Sequence, residues 1–288
     1  MALTVTPVHP CIGAEVSGLD LTRPVSDADL ADLKQAWLQH KVLVLHDQPV
    51  TDAQHVAFAR RFGELEEHHQ KIIKDASLPE IFKVSNVDET NRVRPPDSDV
   101  MTQLLLTKIW HTDSSFRPVP CMGSILHGIE VVDEGGQTCF TNMQAVLEAL
   151  PADLLARIAG RRCRHDFANL NRIGSKYEPT AEEKAAMPPV WQPMVCRHPE
   201  TGHKSLFISP IYNDAVEGLD AAAAKDLLDR LYAICSEPRF VYEHTWKPHD
   251  IVMWDNRCTM HRILPYDPHA RRVSHRTTIV GSSPVLAA

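Results

Sequence analysis

The chain has 288 residues, 43% hydrophobic and 23% charged, a composition that supplies a sizeable core. A formal net charge of −7 argues against a nucleic-acid partner, which needs a basic face. The seven cysteines form no Cys-x-x-Cys pair, no signal-like segment opens the chain and no apolar run approaches the roughly 20 residues of a membrane span. A cytoplasmic protein with free thiols is therefore expected.

In chain order, residues 1–25 read as short β segments with turns at Gly13 and Gly18. Ser26 caps a helix to Gln39 whose Leu30, Leu33 and Trp37 share a face. Val42 to Leu45 reads as a buried strand. Thr51-x-x-Gln54 is a capping box for a second helix, with Val56, Ala59 and Phe62 inward and Gly63 as its stop. Phe82 to Val87 reads as a strand, and the polar stretch Asp88 to Asp99, with Pro95-Pro96, as an exposed loop placed to serve as a lid. Leu104-Leu105-Leu106 then leads into Trp110-His111-Thr112-Asp113, read as a strand.

Met122 to Val131 is the next expected strand, Gly135-Gly136 a turn, and Thr138-Cys139-Phe140 the start of another strand. Helices follow over Asn142 to Leu150 and Pro151 to Ala159, the second with proline at its first position. Thr180-x-x-Glu183 opens a short helix that Pro188-Pro189 ends. Ser205 to Ile208 reads as a strand and Asp220 to Cys235 as a helix with Leu227, Leu228, Leu231 and Ile234 on one face. Strands at Phe240 to Trp246, Ile251 to Trp254 and Val273 to Val280 close the chain. No repeat or linker divides it, so one domain over residues 1–288 is expected. The pattern predicts a mainly β fold with helical additions, a sandwich or jelly-roll core.

On a strand, His111 and Asp113 would face one cavity, being two positions apart. One imidazole nitrogen and one carboxylate oxygen do not define a metal site. A second histidine would complete the 2-His-1-carboxylate set of ferrous, oxygen-activating enzymes. His261 is the best candidate, with Asp255 and His249 as competitors, and Asp255 beside Asn256 is more simply a turn former. Downstream lie Arg271, Arg272 and Arg276, whose planar guanidiniums suit carboxylates.

These motifs, taken in order, resemble the TauD/TfdA family of Fe(II)- and 2-oxoglutarate-dependent dioxygenases, and within it the 2,4-dichlorophenoxyacetate (TfdA-like) branch. The resemblance is carried by Phe58-Ala59-Arg60-Arg61-Phe62-Gly63, Trp110-His111-Thr112-Asp113-Ser114-Ser115-Phe116, Gly135-Gly136-Gln137-Thr138 and Trp254-Asp255-Asn256-Arg257 leading to His261-Arg262. It implies a double-stranded β-helix (jelly-roll) core. It implies that His111, Asp113 and His261 hold iron, that Thr138 and Arg272 bind 2-oxoglutarate, and that Arg276 faces the anionic group of the substrate. Lys71, His69 and His198 are further candidates for gripping that substrate.

The implied reaction uses O2, converts 2-oxoglutarate to succinate and CO2, and hydroxylates a substrate C–H. The carboxylate at Asp113 favours hydroxylation, since related halogenases leave that position empty for a halide. Next to an ether oxygen, hydroxylation gives a hemiacetal that collapses to a phenol and an oxo-acid; next to sulfur it releases sulfite. The segment Ser209 to Asp214 lacks the histidines associated with the phenoxyacetate enzymes, and His249 stands where much of the family has glycine. A taurine or alkylsulfonate dioxygenase is thus the alternative, and a non-catalytic jelly-roll zinc protein a third reading. The partner implied is a small anionic molecule, neither nucleic acid nor membrane, with self-association left open.

Overall fold

The computed structural model describes residues 3–67, 77–173 and 180–288. Strands β1 (Thr4–Pro7) and β2 (Ala14–Ser17) precede α1 (Asp27–His40). The Ser26 side chain accepts from Asp29 N at the start of α1, and Lys41 ends it in the left-handed region at φ +67°. Then come β3 (Val42–Leu45), α2 (Asp52–Ala59), β4 (Phe82–Ser85), α3 (Asp99–Leu106), β5 (Gly123–Glu130) and β6 (Thr138–Asn142). The Thr51 capping box forms as read, but α2 stops at Ala59, short of Gly63. Next are α4 (Met143–Glu148), α5 (Ala152–Ile158), β7 (Arg162–His165), a 3-10 segment at Phe167–Ile173, α6 (Ala181–Ala186), β8 (Val190–Pro193), β9 (Val195–Arg197), β10 (Lys204–Leu206) and β11 (Asn213–Val216). The chain continues with α7 (Ala221–Cys235), β12 (Val241–His244), β13 (Ile251–Asp255), β14 (Thr259–Ile263), β15 (Val273–Ile279) and β16 (Leu286–Ala287).

A seven-stranded sheet runs β1-β2-β3-β13-β5-β15-β4, antiparallel except where β2 meets β3. A three-stranded antiparallel sheet, β12-β6-β14, faces it. Side chains of β3 and β13 alternate between two apolar layers. Val42, Val44, Val252 and Trp254 pack inward with Phe140 of β6. Leu43, Leu45, Ile251 and Met253 pack outward beneath α1 and α2. Covering on both faces is why these strands read as unbroken apolar runs rather than alternating ones. A third layer of α4, α5 and α7 covers the far side of the small sheet through Met143, Val146, Leu154, Leu227 and Leu231.

Two expectations near the centre are corrected. Leu104 to Leu106 ends helix α3, whose N-cap Ser98 accepts from Met101 N, rather than leading a strand. A three-residue apolar run has no period of its own, so it could not decide between the two. His111 makes only an isolated bridge, and the chain turns directly after it. Asp113 thus reaches the cavity by a turn and not by strand alternation. Pro151 is also displaced by one position: it sits at the N-cap of α5, with no side-chain cap.

A histidine cluster lies on the opposite face of the large sheet. His55 of α2 and His127 of β5 have ring centroids 6.2 Å apart, and His249 lies 5.8 Å beyond His127. His275, the cross-strand neighbour of His127, bonds Asp52 at 2.7 Å. Burial and the facing imidazole of His127 hold His55 down at about 3. Burial, His249 and His275 hold His127 at about 4, with Asp52 opposing. Both folded values lie below the ordinary 6.5, so the unfolded chain binds the extra protons first. Stability is whole above pH 6.5 and is lost as pH falls from there toward 4. We expect a loss of about 2.5 kcal/mol per histidine by pH 4.5, at roughly 1.4 kcal/mol per pKa unit. His127→Leu should flatten this slope in thermal melts taken between pH 7 and 4.5; an unchanged slope would exclude the cluster as its source.

Candidate active site

The site lies between the two sheets, in a cavity of about 160 Å³. His111 and His261 are joined through their backbones. His111 N donates to His261 O at 3.0 Å, and His261 N donates to His111 O at 2.8 Å. This reciprocal pair lays β14 against the segment after α3 and sets the two imidazole centroids 4.1 Å apart. Asp113 closes the triangle, with Oδ1 4.0 Å from His111 Nε2 and Oδ2 3.8 Å from His261 Nε2. All three donor atoms lie within 4.8 Å of one another, and all three residues are buried.

The donor set fits a divalent metal. Two atoms each about 2.1 Å from an ion stand at most about 4.2 Å apart, and each imidazole has one Asp113 oxygen inside that limit, Oδ1 for His111 and Oδ2 for His261. His111 Nδ1 donates to Ile109 O at 2.9 Å, which leaves Nε2 with its lone pair facing the cavity. Burial lowers the pKa of both imidazoles, so both are neutral ligands. Burial would raise the Asp113 carboxyl, but the Arg276 guanidinium, helped by the hydrogen bond from Ser124, outweighs it and holds it well below the usual carboxylate range.

The carboxylate is clamped at both oxygens. Arg276 of β15 donates to Oδ1 at 2.7 Å and Ser124 of β5 donates to Oδ2 at 2.7 Å. Asn256 Nδ2 in turn donates to the Ser124 hydroxyl at 3.1 Å. Ser124→Ala removes an oriented donor behind a metal-facing carboxylate, and should weaken Mn(II) binding roughly 10- to 100-fold in a titration. Affinity equal to the parent would show that Arg276 alone orients Asp113.

Arg272, just before β15, is buried and has no carboxylate partner among the described residues. Its guanidinium lies 5.7 Å from the Tyr266 ring centroid, and burial lowers its pKa. Gly136, at φ +69°, brings the backbone past it: a Cβ there would stand 3.9 Å from Arg272 Nε. The neighbouring Arg271 faces the other way and pairs with Glu130 at 2.7 Å. Asn86 holds the turn, donating to Pro268 O and Ala270 O and accepting from Arg272 N at 2.8 Å. Thr138 Oγ1 accepts from Trp246 Nε1 at 2.9 Å, which leaves its hydroxyl hydrogen free to point into the cavity. An aromatic wall completes the cavity, with Phe116 4.8 Å from Phe167 and 4.9 Å from Tyr212 between ring centroids.

His111, Asp113, Thr138, His261, Arg272 and Arg276 are therefore brought to one cavity. Lys71 and His69 lie outside the described residues. His198 is a correction: it does not line the cavity but is buried against Asp255, its Nε2 donating to Oδ2 at 2.9 Å. Arg257 binds the same carboxylate through Nε at 2.8 Å and through a terminal nitrogen at 2.6 Å. Asp255 and His198 thus fix the turn between β13 and β14 and are not ligands of the cavity. His249, the other competitor, takes φ +66° in the turn before β13 and packs on His127. Ser124, Asn86, Glu66 and Arg117 escaped the sequence reading. Only Ser124 carried a signal, its inward parity on β5.

Comparison with known proteins agrees with this arrangement. The model of the "Taurine catabolism dioxygenase TauD, TfdA family" matches residues 4–278. An alpha-ketoglutarate-dependent 2,4-dichlorophenoxyacetate dioxygenase of Cupriavidus pinatubonensis is 34% identical over 99% of this chain and 100% of its own length. The (S)-phenoxypropionate/alpha-ketoglutarate-dioxygenase of Sphingobium herbicidovorans is 35% identical, over 97% and 96%. A crystal structure of AAD-2 in complex with Mn(II) and N-oxalylglycine superposes with a TM-score of 0.91 at 34% identity, covering 100% of both chains. With nearly its whole length matched in sequence and in fold, the chain belongs to the TauD/TfdA dioxygenase family.

Proposed function

We propose that the protein is a 2-oxoglutarate-dependent non-haem iron dioxygenase that hydroxylates an aryloxyalkanoate, cleaving its ether to a phenol and an oxo-acid. The observation that carries this reading is Arg272: a buried guanidinium without a counter-ion among the described residues, opening on the same cavity as a buried N,N,O donor set. A buried cation of that kind is costly unless a ligand neutralises it. The far carboxylate of 2-oxoglutarate would do so bidentately, with the Thr138 hydroxyl as a second donor.

His111, Asp113 and His261 would hold iron, which supplies oxygen activation coupled to oxidative decarboxylation of the cosubstrate to succinate and CO2. Arg276 serves two groups: one nitrogen orients Asp113, and its guanidinium, on the cavity wall, would meet the substrate carboxylate. Phe116, Phe167 and Tyr212 offer faces and edges to an aryl ring. The sheet arrangement supports a double-stranded β-helix core, and the shared apolar layers support a single domain. Among the described residues no helix is long and apolar enough to cross a membrane.

Two experiments test the reading. Anaerobic addition of Fe(II) and 2-oxoglutarate should give a weak visible charge-transfer band, and folded protein without the band would defeat the proposal. A panel of phenoxyacetates, phenoxypropionates and sulfonates, followed by succinate release, assigns the substrate. Phenol release supports the aryloxyalkanoate, whereas sulfite from taurine supports the sulfonate alternative, which the aromatic wall disfavours. Succinate formed without any substrate would already exclude a non-catalytic zinc protein.

A further inference from the structure

The cavity contains a carboxylate that iron ligation does not use. Residues 64–66 run beside the end of β15, where Glu66 N donates to Thr278 O at 2.8 Å, and the Glu66 side chain lines the cavity. That side chain is 12% exposed. It accepts from Ser114 Oγ at 3.1 Å and lies 3.8 Å from a terminal nitrogen of Arg117. The second contact is long for a charge-assisted bond, and the buried Nε of Arg117 has no partner among the described residues. Arg276 also lines the cavity, with a buried Nε in the same state, whereas the Arg262 guanidinium lies over the Trp110 ring on the other side of the small sheet.

Counting charge makes Glu66 significant. With Arg272 given to the cosubstrate and Asp113 to the metal, two guanidiniums, Arg117 and Arg276, and one carboxylate line the space left for the substrate among the described residues. Two cations alone would favour a dianion. The cosubstrate and its product succinate are both dicarboxylates, so such a wall would draw a second molecule of either into the substrate position. One buried carboxylate there opposes the dianion where solvent screens poorly. Discrimination against a wrong ligand is commonly achieved by such a repulsive element. A substrate with one anionic group for Arg276 and an uncharged remainder avoids the penalty.

We propose that Glu66 excludes dicarboxylates from the substrate pocket, so that the pocket accepts monoanions and rejects 2-oxoglutarate and succinate. This rests on the 2-oxoglutarate reading above. The test is a calorimetric titration of the Mn(II)-loaded protein with N-oxalylglycine, itself a dicarboxylate, alongside turnover at rising 2-oxoglutarate. The parent protein should bind one N-oxalylglycine per chain and show no inhibition by excess 2-oxoglutarate. Glu66→Gln should bind a second molecule, become inhibited by excess 2-oxoglutarate, and shift its preference toward aryl dicarboxylates over monocarboxylates by about tenfold or more. Glu66→Ala should behave as Glu66→Gln does, and Glu66→Asp, which keeps the charge, as the parent does. One site per chain and an unchanged preference in both neutral variants overturn the proposal. So does a second site already present in the parent. A parent protein that binds no N-oxalylglycine overturns the cosubstrate reading and this inference together.

Discussion

His261→Ala is expected to abolish the Fe(II)–2-oxoglutarate charge-transfer band and to lower turnover on the order of 10³-fold or more, as when one member of an interdependent catalytic set is removed. The remaining His111 and Asp113 would offer one nitrogen and one carboxylate, too few to hold a divalent ion against water and buffer. Fold should survive, because the backbone pair between His111 and His261 does not depend on the imidazole. His198→Ala is the contrasting variant. Its imidazole accepts from Glu200 N and Thr201 N at Nδ1 and donates to Asp255 at Nε2, away from the cavity. Losing it should cost about 1–3 kcal/mol of stability while leaving the band in place. A band lost in His198→Ala and kept in His261→Ala would reverse the ligand assignment.

Arg272→Met should move binding and stability in opposite directions. Affinity for 2-oxoglutarate or N-oxalylglycine is expected to fall about 10²- to 10³-fold, since one partner of a desolvated charge pair is worth roughly 2–5 kcal/mol. The ligand-free protein should melt at a higher temperature, because an apolar side chain replaces a buried cation without a carboxylate partner among the described residues. Arg272→Lys should not restore binding, since an ammonium lacks the planar fork. A variant that keeps its cosubstrate affinity would place the anchor elsewhere. One that melts lower would show that Arg272 stabilises the ligand-free fold through the Tyr266 ring.

Much of the site was legible in the sequence because its residues belong to compact motifs: His111 with Asp113, Thr138 after two glycines, Arg272 eleven positions past His261. The elements were legible where a cap or a period was strong. Ser26, Thr51, Thr180 and Asp220 each accept from the backbone at the helix start that was read. Legibility ended where packing decides. The run Leu104 to Leu106 is as apolar as a strand, and only burial of Val100, Met101 and Leu104 on one side makes it a helix. The short strands β7, β8, β9 and β11 carry too few residues for alternation to register. His198 is ambiguous in sequence because its role depends on Asp255, 57 positions away. Glu66 and Arg117 carried no pattern at all, for they meet only where residues 64–66 run beside β15.

The strand β15 has a consequence for how this enzyme could change its diet. Arg272 and Arg276 stand four positions apart along one backbone, roughly 13 Å at the rise of an extended chain. β5 and β4 hold that stretch from either side. The interval between the two arginines is therefore a ruler that neither mutation nor ligand can stretch without tearing two ladders of hydrogen bonds. Longer or bulkier substrates must be accommodated at the far wall, around Phe167 and Leu170, while the anchored end stays put. Diversification of such a scaffold should accordingly appear as resizing of that wall, and directed evolution toward new substrates is best aimed there rather than at the arginines.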